Sequence, residues 1–208
     1  MASSSREKLI RSTQVSMLSR GYSATGVDDI CGDAGVSKGS FYHHFPSKED
    51  LAIAALGDFY EASLKKLLAI DLSNVAPERR LLALLDAIAK QGHDFWKNGC
   101  LIGSLASEMA LTSQTLQSEV SRLFSETAKA LEPLIQPFVA SLHDKSLSAG
   151  RLAEHFLVVV EGAIVMSRAH NDPKKINQAV ALFAEQLRWL SRGGTVGVQQ
   201  AGKKVPQR

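Results

Sequence analysis

The run Ser37-Lys38-Gly39-Ser40-Phe41-Tyr42-His43-His44-Phe45 gathers hydrogen-bond donors, flat rings and nearly bare backbone in one short stretch. Each type has a use against duplex DNA. Lys38 can donate to guanine O6 and N7, His43 can donate or accept at a base edge, and Gly39 with Ser40 lets the backbone reach a thymine methyl. These four are the expected floor contacts in a major groove. Tyr42, His44 and Lys48, together with Thr25 and Ser37, suit phosphate oxygens, which position a protein on DNA without reading sequence. Lys48 stands beside a helix N-terminus, itself an anion site. For Tyr42 and His44, partial packing into a core is the alternative. Phe41 and Phe45, four apart, are core anchors.

Such residues need rigid, short elements to present them, and the flanking sequence supplies the signals. Thr25 with Asp28 three positions on reads as a helix start. Val27, Ile30, Cys31 and Ala34 then follow at the spacing of one small buried face. Gly35 ends that helix, since glycine takes a left-handed conformation without Cβ strain. Val36 plugs the turn and Ser37 caps the next helix. Pro46 stops it, Ser47 caps a third, and Glu49 and Asp50 favour that helix's positive end. Two short helices joined by about four residues containing a glycine form a helix-turn-helix, whose second helix enters the major groove. A plain bundle has no use for Gly39-Ser40 in mid-helix, where glycine costs about 1 kcal/mol.

VSKGSFYHHFPSKEDL resembles the DNA-binding signature of the TetR/AcrR family of one-component regulators. The resemblance covers roughly residues 6–52, with REKLIRSTQVSMLSRGY similar to the family's first helix, and extends over 53–192 only as helical architecture. It implies an all-α fold: a three-helix DNA-binding domain (1–50), then a helical ligand-sensing and dimerisation domain (51–192), about nine helices in total. Residues 193–208 are expected to be a disordered basic tail. By the same resemblance the chain would bind a palindromic operator as a homodimer, most simply as a repressor released by a small-molecule inducer.

Composition bounds the reading without deciding it. The net charge of +3 is carried by Lys203, Lys204 and Arg208 of the tail. Residues 1–50 balance Arg6, Lys8, Arg11, Arg20, Lys38 and Lys48 against Glu7, Asp28, Asp29, Asp33, Glu49 and Asp50. Bulk charge therefore gives no argument for DNA, but placement does, since Lys38 and Lys48 bracket the reader helix. No apolar run reaches about 18 residues, so no membrane partner is expected. MASSSREK has no apolar segment of a secretory signal, and the two cysteines form no disulfide framework, so the expected location is cytoplasmic.

Past the reader, apolar periodicity predicts helices over 47–68, from Pro77 to Trp96, 101–111, 113–142 with a kink near Pro133 and Pro137, 148–170, and on to Ser191. In the last two, Phe156, Val159, Val160, Gly162, Ala163, Ile164 and Ser167, with Ala179, Phe183, Gln186 and Leu190, are the expected dimer contact; packing within the subunit is the alternative. Aromatic, sulfur and polar residues on the middle helices are candidates to line a ligand pocket: Phe59, Phe95, Trp96, Cys100, Met109, Phe124, His155 and Glu161. Each also fits an ordinary core. Cys100, in NGCLIGSLASEMA, sits at a helix N-terminus, where the dipole lowers a thiol pKa. The segment resembles electrophile-responsive members of the family, so Cys100 is a redox-sensor candidate, against a plain core role like that of Cys31.

Enzymatic readings fail on ligand counts. His93-Asp94 and His143-Asp144 lack the further ligands a metal phosphohydrolase needs, and His43-His44 does not close a zinc tetrahedron. With no phosphate loop or nucleophile motif, neither catalysis, metal nor cofactor is expected. A helical adaptor binding proteins through the same fold is the remaining alternative, and steep salt dependence separates a DNA binder from it.

Overall fold

Ser4 begins the first helix, α1 (Ser5–Arg20): its hydroxyl accepts from the Glu7 amide while the Glu7 carboxylate accepts from the Ser4 amide. A computed structural model describes residues 4–96, 98–109 and 113–194, with the side chains of 91–95 and 109 outside the description. Three short elements follow: α2 (Val27–Ala34), α3 (Lys38–His44) and the start of the long α4 (Lys48–Leu68). Gly35 ends α2 at φ +62°, as expected, and turns the chain into α3. Ser37 caps α3 by accepting from the Ser40 amide, and Ser47 caps α4 by accepting from Asp50.

The start of α2 differs from expectation. Gly26, not Thr25, is the cap residue, and its amide donates to the Asp29 carboxylate at 2.9 Å. Thr25 is 1% exposed and its hydroxyl donates to the Gly21 carbonyl at 2.6 Å. A Thr-x-x-acid pattern fits either register, and Asp28 and Asp29 stand next to each other.

Polar residues of α1 hold it to its neighbours. Ser12 donates to the Ile30 carbonyl of α2, and Gln14 donates to the Ala55 carbonyl and Asp58 of α4. Ser16 donates to Asp33, which also pairs with Arg20. Between them lies a small core of Leu9, Ile10, Ile30, Cys31, Phe41, Phe45, Leu51 and Ala55.

A 3-10 turn at Pro77–Arg79 leads into α5 (Arg80–Trp96), α6 (Leu101–Met109), α7 (Gln114–Ser141), α8 (Ala149–His170) and α9 (Lys174–Ser191). Among the described residues there is helix and no strand, and no helix is long and apolar enough to cross a membrane. Ser113 caps α7, which runs through Pro133 and Pro137 as one helix, and Ser148 caps α8. The tail expected to be disordered lies, from 195 on, outside the described residues. Helix α9 packs along α5 and α8, and α7 along α8, around a larger core. Met17 of α1 and Ala52 and Leu56 of α4 belong to that larger core, so both helices cross from one core to the other.

The face of α8 and α9 expected to meet a partner is mostly used inside the subunit. Phe156, Val160, Ala163 and Ile164 of α8, and Phe183 and Leu190 of α9, are buried, with Phe156 stacked on Phe183 at 6.3 Å. Val159, Ser167 and Ala179 are partly covered, while Gly162 and Gln186 face out. Apolar residues surround α8 on more than one side, and periodicity does not say which side faces inward. The outward apolar set is Val158, Val165, Met166, Leu182 and Trp189.

Thr13 is 1% exposed and its hydroxyl has no partner among the described residues. Replacing an unsatisfied buried hydroxyl by a methyl of the same shape removes a desolvation cost. Thr13→Val should raise unfolding free energy by about 1 kcal/mol in a denaturant titration.

Candidate functional site

Helix α3 is anchored by Phe41, wholly buried, whose ring meets Tyr42 edge-on at 4.9 Å. That anchor turns Lys38, Gly39, Tyr42 and His43 to solvent, with Ser40 and His44 half-buried. A Cβ placed on Gly39 would touch only the Ser37 hydroxyl, at 3.9 Å. Nothing in the free protein therefore requires glycine there, and the bare backbone at this position faces solvent.

Lys38 is less free than its sequence position implies. Its ammonium pairs with Asp28 of α2 at 2.6 Å, both groups well exposed, and the hydrogen bond to Asp28 raises the lysine pKa. A base-contacting Lys38 must exchange this partner for DNA, and removing Asp28 removes a nearby negative charge. Sequence reasoning missed the pair because it joins two helices across a turn.

Two expected phosphate contacts have other roles. The Lys48 ammonium donates to the carbonyls of Tyr22 and Thr25, each at 3.1 Å, and sits 4.1 Å from the Tyr22 ring centre. In the free protein it holds the turn between α1 and α2, half-buried against it. Thr25, buried beneath the same turn, is likewise unavailable to a phosphate.

The turn is gripped from its other side by α6. Glu108 accepts from the amides of Tyr22 at 2.8 Å and Ser23 at 2.7 Å. Gly21, at φ +85°, permits the approach, since a Cβ there would come within 3.0 Å of the Glu108 carboxylate. Burial pushes the Glu108 pKa up, but hydrogen bonds from Ser23 and Tyr22 and the charge of Lys48 outweigh it, leaving the carboxyl below its ordinary 4.5. A depressed carboxylate pKa stabilises the fold above the unfolded value, and the contribution is lost as pH falls through the folded one. The grip is therefore complete near neutrality and is released in acid, below about pH 4.5. Two further contacts join the halves: Ser113 donates to Glu49 of α4 at 2.9 Å, and Arg168 of α8 donates to the Leu18 carbonyl at 3.0 Å and Ser104 of α6 at 3.3 Å.

Behind α6 lies a cavity of ≈ 90 Å³. Of the residues expected to line a pocket, Phe59, Trp96, Cys100, Phe124 and Glu161 meet here. Tyr60, Ser63 and Thr127 join them, and their helical positions alone gave no reason to choose them. The side chains of Phe95 and Met109 lie outside the described residues. His155 does not belong: it is exposed on α8, its ring 5.5 Å from Phe183.

The thiol at Cys100 is also unlike the expectation. It is 7% exposed, accepts from the Gly103 amide at 3.5 Å, and lines the cavity beside Glu161. Burial, then the Glu161 charge, pushes its pKa well up, overcoming the amides of Gly103 and Ile102 at the helix start. The thiol is therefore held neutral, the opposite of a sensor thiolate. Burial also raises the Cys31 thiol.

A surface-directed second helix on a helix-turn-helix, joined through a turn to a helical domain, is the form of a DNA-binding regulator. Residues 9–55 match the model for bacterial regulatory proteins of the tetR family, and residues 77–181 that for the C-terminal domain of LmrA/YxaF-like transcriptional regulators. The chain belongs to the TetR family. It is 31% identical over 186 residues to the HTH-type transcriptional repressor DhaR of Mycobacterium sp. strain GP1, covering 88% of this chain and 91% of that one. To the transcriptional regulator AcuR of Cereibacter sphaeroides it is 32% identical over 202 residues, covering 89% and 86%. A crystal structure of a TetR regulatory protein from Rhodobacter sphaeroides superposes with a TM-score of 0.74 at 26% identity, over 88% and 98% of the two chains. The protein is thus a DNA-binding transcriptional regulator and not an enzyme.

Asp28→Asn should tighten binding to all DNA sequences, by freeing Lys38 and removing a negative charge, as read by anisotropy of labelled duplexes. Lys38→Ala should relax preference at one base position by about 1–3 kcal/mol. Unchanged sequence preference would overturn that assignment. In the native, reduced protein both thiols should react with iodoacetamide far more slowly than in denaturant; equal rates would contradict the neutral, buried Cys100.

Proposed function

We propose that the protein is a homodimeric repressor that binds a palindromic operator and releases it when a small molecule occupies the cavity behind α6. The observation that carries this reading is the position of α6. Cys100 and Ile102 at its start line the cavity, and Ser104 meets Arg168 of α8. Near its other end Glu108 holds the turn that orients α2 and α3. A ligand that displaces α6 would move that turn, and with it the reader helix. To change operator occupancy a hundredfold the ligand must favour one arrangement by about 3 kcal/mol.

Dimerisation is supported by the outward apolar residues on two adjacent helices, Val158, Val165 and Met166 on α8 and Leu182 and Trp189 on α9. Exposed apolar residues clustered in this way mark an interaction surface. A second copy packed there would form a four-helix contact and present two α3 helices, which a palindrome with half-sites about 34 Å apart requires. Gly162 and Gln186, two of the residues expected at the dimer contact, lie on this outward side.

Selection of genomic fragments by the purified reduced protein should enrich a palindrome with half-sites about one helical turn or slightly more apart, and affinity should fall steeply with salt. Absence of enrichment at low salt would contradict the repressor reading. Val158→Glu with Trp189→Glu should sediment as a folded monomer and lose most operator affinity; a dimer in that variant would place the contact elsewhere.

A further inference from the structure

The cavity carries a charge pattern that neither folding nor DNA binding requires. Glu161, on the middle of α8, lines a space that it shares with the rings of Phe59, Tyr60, Trp96, Phe124 and Phe156 and with aliphatic and hydroxyl side chains. Among the described residues no Lys, Arg or His lies within ion-pair distance of it, and its neighbour in the cavity wall is the Cys100 thiol. Lys66 also borders the cavity, but it is exposed and already engaged. Burial raises the Glu161 pKa, as it must for a carboxylate without a counter-ion.

The carboxylate occupies a prepared seat. It lies over Gly103 of α6, where a Cβ would collide with Glu161 Oε2 and stand 2.9 Å from its Cδ. The glycine thus lets Glu161 lie flat against α6, beside Cys100 and at the cavity wall. Any larger residue at 103 would push the carboxylate off.

We infer that the cavity takes a compact organic cation, an alkylammonium head group, with Glu161 as its counter-charge and the faces of the aromatic rings around it; this rests on the reading of the cavity as the effector site. Rings present negative faces to a cation, and the attraction grows where water is excluded. The buried carboxylate then gains the partner it lacks, and an anionic ligand is repelled. A cation set against the carboxylate itself favours the charged form, which a neutral ligand does not. Size points to a head group: the ≈ 90 Å³ here is smaller than the roughly 150 Å³ in which an apolar cavity holds benzene. Because Glu161 rests on α6, drawing its carboxylate toward a cation acts directly on the helix that holds the DNA-binding turn.

Calorimetric titration of the full chain with tetramethylammonium chloride, tert-butanol and sodium pivalate, three probes of similar shape, at fixed ionic strength tests the inference. Tetramethylammonium should bind saturably, about tenfold or more tighter than tert-butanol, with pivalate weakest. Glu161→Gln should abolish the preference for the cation while keeping the melting transition, and Gly103→Ala should weaken cation binding by displacing the carboxylate. Equal binding of tert-butanol, better binding of pivalate, no saturable binding of any probe, or an unchanged preference in Glu161→Gln would each overturn the cation assignment. Equal binding of the neutral probe would leave the cavity standing as an effector site. A probe that binds the cavity without altering operator affinity would instead overturn the effector reading.

Discussion

The amides of Tyr22 and Ser23 fall just past the end of α1, where the chain has turned away from the helix's last carbonyls, and Glu108 accepts both from a distant part of the chain. Hydrogen bonds to a charged acceptor are stronger than neutral ones, at about 1.5–3 kcal/mol each. Lys48 holds the carbonyl side of the same turn, so opposite charges clamp one short piece of backbone. Ser23 is exposed, and its amide could turn to water if Glu108 withdrew. On the proposed reading, loss of the clamp would change where the DNA-binding helices point more than whether the chain folds. That is the property a switch needs.

The two cores explain how a local shift can spread. The small core holds α1 to α4 together with few large side chains, Phe41 and Phe45 chief among them. Helices α1 and α4 also contribute Met17, Ala52 and Leu56 to the larger core, so the DNA-binding unit cannot move without sliding these helices against the rest. Close-packed interiors favour discrete rearrangements over continuous bending. Glu108, Arg168 and the Ser113–Glu49 contact lie where such a rearrangement would be felt, each joining the two halves by polar bonds that can be exchanged for water.

Local chemistry made the reader legible in the sequence. Gly35, Ser37, Ser47 and Phe41 act within a turn or two of their own positions, and the structure puts each where those rules expect it. Thr25 misled because two adjacent aspartates allow two helix starts. Lys48 misled because its partners, the carbonyls of Tyr22 and Thr25, are backbone atoms across a turn, and no side-chain pattern announces them. On α8 the apolar residues extend round the helix, so periodicity found a buried face and could not say whether its own chain or a partner buries it. Phe59, Trp96, Cys100, Phe124 and Glu161 were legible as neighbours of one cavity, but Tyr60, Ser63 and Thr127 were not, nor was the grip of Glu108 on a turn some 85 positions earlier. The Cys100 thiol shows a competition the sequence cannot weigh. The helix start lowers its pKa, and the burial and the neighbouring Glu161 that win over it exist only in the folded chain.

Site-resolved amide hydrogen exchange in Glu108→Gln tests the clamp most directly. If Glu108 sets the position of the DNA-binding unit, exchange at Tyr22 and Ser23 will quicken and the change will extend into α2, while α8 and α9 keep their protection. Unchanged exchange at those two amides, or a uniform rise across the whole chain, would contradict it.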